Sequence, residues 1–69
     1  MTNEQRAERF YRAMLALKSY YDNDDMETDL VDLLTDARHE SELHTPMDID
    51  AVVRMSEAHF TAECEEAEG

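Results

Sequence analysis

Glycine and proline are almost missing from this chain. Among 69 residues there is one of each, Gly69 and Pro46, and a single cysteine, Cys64. With its one glycine at position 69, the chain is poorly suited to glycine-cradled phosphate loops and tight hairpins, both of which depend on the freedom of that residue. A lone cysteine makes no internal disulfide. Neither a charged-then-apolar leader nor a run of about 18 apolar residues appears, and the expectation is a soluble cytoplasmic protein without a membrane span. Basic residues are scarce too: six Lys and Arg stand against 18 Asp and Glu, for a formal net charge of −12 at pH 7.

The imbalance is uneven along the chain. Residues 1–21 carry four bases (Arg6, Arg9, Arg12, Lys18) and two acids, whereas residues 22–69 carry two bases and sixteen acids. So much like charge opposes compaction, and a strongly acidic segment poor in apolar residues stays disordered. Here, however, apolar residues make up 42% of the chain and recur at helical spacing, which argues for a folded domain. At this length the chain forms one domain, burying only ~60% of the surface its unfolded form exposes, so no large catalytic cavity is expected.

Three helices follow from the pattern. Thr2 with Gln5 three residues on is a capping-box signature, and Ala7, Phe10, Tyr11, Met14, Leu17 and Tyr21 form a stripe behind it. The run Asp22-Asn23-Asp24-Asp25 suits a turn whose last acids cap a second helix carrying Met26, Leu30, Leu33, Leu34 and Ala37. Pro46 disfavours helix at Thr45, and Asp48 is positioned to cap a third stripe of Ile49, Val52, Val53, Ser56, Phe60 and Cys64. The predicted fold is all-α: a compact three-helix bundle in a single domain 1–69, with helices over about 3–21, 26–43 and 49–64 and a short, frayed acidic C-terminal tail. Leu33 and Phe60, mid-stripe, are expected to meet in its core.

Catalytic and metal constellations are not found. His39 and His44 are five residues apart and about 140° out of line, so one helix cannot aim both at one metal. From Asp22 to Leu33, Met26, Glu27 and Leu33 stand where an EF-hand needs an oxygen ligand, glycine and glutamate. His59 and Cys64 also lie on differing faces. No nucleophile, base and orienting group converge, so the expectation is a protein that is not an enzyme, with no metal site and no cofactor.

The acids do form a pattern. Asp25, Asp29, Asp32, Asp36 and Glu40 fall within roughly an 80° arc of the second helix, where like charges three or four apart destabilise it by ~0.2–0.5 kcal/mol per pair. Asp50 and Glu57 face away from the third apolar stripe. These seven residues are the candidate partner-binding set: two carboxylate rows on neighbouring helices resemble the phosphate rows of a duplex, and such a surface can occupy a basic groove built for DNA. Direct nucleic-acid binding is disfavoured by the sign of the charge. The competing reading is a helical protein-interaction module, such as an antitoxin or accessory subunit, that buries an apolar helix face; Tyr11, Tyr20 and Tyr21 could contribute to it.

The segments Asp29-Leu30-Val31-Asp32-Leu33-Leu34-Thr35-Asp36-Ala37-Arg38-His39 and Asp48 to Phe60, about half the chain, resemble a helix pair of small uncharacterised proteins of bacteria and their mobile elements. In size, helical content and acidity the chain is also similar to phage-encoded anti-CRISPR proteins, particularly acidic inhibitors of type I-C surveillance complexes. That resemblance implies a monomeric DNA mimic acting in the host bacterial cytoplasm. Its implied partner is the basic surface with which the large subunit of type I-C Cascade recognises the PAM duplex.

Overall fold

The computed structural model describes residues 1–68. The chain is an all-α three-helix bundle of α1 (Asn3–Ala16), α2 (Met26–Leu43) and α3 (Ile49–Glu68), with a 3-10 turn at Leu17–Ser19 after α1. Each helix begins where its cap predicts. Thr2 Oγ1 accepts from the Gln5 N–H at 3.1 Å while Gln5 Oε1 accepts from the Thr2 N–H at 2.8 Å, closing the capping box. Asp25 accepts from the Thr28 N–H at 2.7 Å and Asp48 from the Ala51 N–H at 3.0 Å.

Two helix ends depart from the sequence reading. The first helix stops as an α-helix at Ala16 rather than near Tyr21, because the chain tightens into 3-10 geometry and the N–H groups of Tyr20 and Tyr21 both donate to the Leu17 carbonyl. This turns the chain early enough for Lys18 to reach back to Asn23 and Asp29. The third helix continues past position 64 to Glu68, so the expected frayed acidic segment is helical there; Gly69 lies outside the described residues.

The core is small. Among the described residues the buried apolar side chains are Met14 and Ile49, and the most deeply buried side chain is a carboxylate, Asp29, at 1% exposure. Leu17, Met26, Leu30, Leu33, Ala37 and Cys64 are half-buried. The expected meeting of Leu33 and Phe60 does not occur: Phe60 is 68% exposed. The reason lies in how α3 is held. At its start Arg38 Nη2 donates to Asp50 at 2.8 Å, and near its other end Arg6 pairs with Glu63 at 2.8 Å while Asn3 Nδ2 donates to the Glu63 carbonyl at 3.3 Å. The loop before it is set by Ser41, whose hydroxyl accepts from the Met47 N–H and donates to the Met47 carbonyl. Helix α3 is thus tied to α2 at one end and to α1 at the other, with its middle turns left open.

Candidate functional site

The carboxylate line of α2 is bonded largely to its own chain. Asp29 sits at the centre: its Oδ2 accepts from Lys18 Nζ at 2.6 Å and its Oδ1 from the Asn23 N–H at 2.8 Å. Lys18, the single lysine of the sequence, also donates to the Asn23 carbonyl at 3.1 Å and lies 3.9 Å from Asp22. Asn23 Nδ2 donates to Asp32 at 2.8 Å, and the Tyr21 hydroxyl donates to Asp36 at 2.9 Å. Glu40 accepts from Thr45 Oγ1 at 3.1 Å, and Asp25 is the cap already described. Asp50 is engaged by Arg38. Of the seven candidate contacts, six accept a hydrogen bond within the chain, and all but Asp29 are exposed; Glu57, four residues after Val53, borders the α3 stripe rather than facing away from it.

The titration behaviour follows the same geometry. The Lys18 hydrogen bond, with the Asn23 N–H behind it, holds the Asp29 carboxyl below its ordinary value in spite of desolvation. Reciprocally, the Asp29 carboxylate raises Lys18. Asp36 raises the Tyr21 phenol by accepting its proton in a hydrogen bond, and the Thr28 backbone N–H lowers Asp25. Arg38 lowers Asp50. Asp29 is withdrawn from the surface on which the sequence pattern placed it, because the α1–α2 turn folds over it. Lys18 and Asn23 at the two sides of the Asp22 break are the signal that sequence reasoning passed over.

A different face is left without partners. On α3 the stripe Ile49, Val53, Ser56, Phe60, Cys64 recurs at helical spacing; its first member is buried and its last half-buried, while Val53 is 37% and Phe60 68% exposed. Phe10 of α1, 42% exposed, lines with Phe60, Ala7 and Cys64 an open cleft of about 370 Å³ whose rim is Asn3, Arg6 and Glu63. Leu34 is likewise exposed on α2. Of the tyrosines named above, Tyr11 and Tyr20 are exposed and Tyr21 is half-buried against Asp36.

Among the described residues, no three His, Cys, Asp or Glu side chains are grouped to hold a metal ion, and no helix is long and apolar enough to cross a membrane. The chain matches no protein-family model, no curated protein and no solved structure.

Proposed function

We propose that this chain is a helical protein-interaction module that works by burying its open apolar face against another protein. The observation that carries the reading is the exposure of Phe60 in the middle of an apolar stripe whose two ends are seated. Large aromatic side chains in such positions are what dominate binding energy when a partner desolvates them. A small domain gains little by holding phenylalanine in water, and contiguous exposed apolar surface marks interaction sites.

Acidic mimicry of DNA against a basic surface, including the PAM-reading surface of type I-C Cascade, is the competing reading. It draws on the net charge of −12. It draws less support from the carboxylates themselves, since Asp29 is buried and Asp25, Asp32, Asp36, Glu40 and Asp50 already accept hydrogen bonds internally. Carboxylates that fasten a turn and cap helices are placed for folding first.

The two readings separate under substitution. Cross-linking in native cells should capture a stoichiometric protein adduct with the parent and with the combined variant Asp32→Asn, Asp36→Asn, Glu57→Gln, and lose it with Phe60→Asp. Phe60 is exposed, so its replacement leaves the fold of the single chain unburdened. Retention by Phe60→Asp together with loss in the charge variant would overturn the module in favour of mimicry.

A further inference from the structure

The third helix is fastened at its two ends and nowhere between. From Val52 to Ala62 every side chain of α3 is exposed, three turns in succession without a seated residue. The two attachments differ in kind. At the start, residues 44–48 join α3 covalently to α2, Ile49 is buried, and the Ser41 hydroxyl exchanges hydrogen bonds of 2.7 and 2.9 Å with the Met47 backbone. About 21 Å further along the helix axis, the polar ties from α1 all end on Glu63 among the described residues. Arg6 Nε pairs with its carboxylate at 2.8 Å, and Asn3 Nδ2 donates to its carbonyl at 3.3 Å. Arg6 also donates to Asn3 Oδ1 at 2.8 Å, so the two donors hold each other in place.

We infer that α3 is a hinged arm, which swings on residues 44–48 against a rigid body of α1 and α2 and is closed by a clasp of Arg6, Asn3 and Glu63. The body is rigid because its own ties are tight: Lys18 meets the buried Asp29 at 2.6 Å, and Asn23 and Tyr21 fasten Asp32 and Asp36. The clasp is of a weaker kind. Both partners of its ion pair keep 30% exposure, and pairs open to water contribute little. Apolar packing adds little more, since Ala7 and Phe10 face Phe60 and Cys64 across an open cleft of about 370 Å³ instead of filling it.

Charge acts against closure. Residues 49–68 carry six acids and one base, Arg54, and the remainder of the chain is also net acidic, so arm and body repel. The clasp sets the one α1 base that reaches α3 against that repulsion. Elements with few buried apolar contacts and water-exposed polar ties are those that open locally while the rest of a fold stays intact. Opening parts Phe10 from Phe60 and Cys64, while Ile49 stays seated at the pivot. The motion needs no partner, so it goes beyond the interaction module and stands or falls separately from it.

The test is a pair of spin-label distance distributions, measured by pulsed electron–electron resonance in a Cys64→Ala background. Arg9→Cys with Glu65→Cys spans the clasp end, and Glu42→Cys with Met55→Cys spans the pivot; all four positions are exposed. The clasp-end pair should give two populations, a main closed one and a minor one at longer distance. Arg6→Gln should raise the ratio of open to closed about fivefold, the upper range for loss of an exposed ion pair. Glu63→Gln should do the same, and it repeats the test from α3 should Arg6→Gln fail to fold. At the pivot a single distance is expected throughout. One unchanged distance at the clasp end in the parent and both variants overturns the arm. So does broadening of both pairs together, which would show the whole chain loosening instead of one helix swinging. Loss of the cellular adduct with Phe60→Asp tests the module independently of either result.

Discussion

The α1–α2 turn and the middle of α3 solve opposite problems. In the turn, charge that should push the chain apart is tied down: Lys18, Asn23 and Tyr21 supply donors to Asp29, Asp32 and Asp36, and among the described residues the most buried side chain, Asp29, is an ionisable one. On α3, apolar side chains that should be inward are left in water. The comparison teaches that the single chain satisfies its polar groups more completely than its apolar ones. In the turn, polar satisfaction is local, met by donors within fifteen residues of their acceptors. Apolar burial needs area that three short helices, joined in this way, do not supply.

The largest effect expected on the single chain comes from Met14. Because it is 3% exposed, Met14→Ala should cost about 2–5 kcal/mol, a large share of what so small a domain holds. Phe60→Ala, measured in dilute solution where the chain is alone, should move stability by no more than about 0.5 kcal/mol, as for other surface positions. Urea unfolding of both variants at low concentration checks the contrast, and an equal loss at both sites would mean that Phe60 is seated after all.

Next in size is Lys18→Met, which leaves the Asp29 carboxylate buried without its ion pair and should lower the melting temperature well below that of any exposed-charge variant. The pH dependence carries the same signature. Asp29 is depressed in the folded state, so the stability it contributes is present above the unfolded carboxyl value of about 4 and lost as pH falls through the folded one. Lys18 and Tyr21 are raised, so their contributions are present below about pH 10 and lost as pH rises through their folded values. Stability should accordingly be flat between these limits. In Lys18→Met the acid limb should flatten, while the alkaline limb keeps the part due to Tyr21; identical profiles for parent and variant would refute the assignment.

The smallest of the three concerns neither region. Thr2→Ala removes one half of the capping box and should cost about 1 kcal/mol, with loss of helicity confined to the first turn of α1 by hydrogen exchange. Since the α1 start also carries Asn3 and Arg6, which hold the end of α3, slower exchange protection near Glu63 should weaken with it.

What the sequence by itself determined is the chemistry of neighbours. Thr2 with Gln5, Asp25 with Thr28 and Asp48 with Ala51 act over three residues, a separation at which backbone geometry alone brings donor to acceptor, so the helix starts and the all-α class were legible. The pairing of Glu8 with Arg12 at 2.8 Å was legible for the same reason. Tertiary structure alone decided the rest. Whether Asp29 faces water or Lys18 depends on where the 3-10 turn redirects the chain, and periodicity along α2 gives its direction around the helix without saying what lies there. Whether the α3 stripe is core or surface depends on the path from Leu43 to Ile49 and on the distant tie between Arg6 and Glu63. An apolar stripe states only that something must cover it. The sum of many weak long-range contacts determines whether the same chain can do so, and no local pattern records that sum.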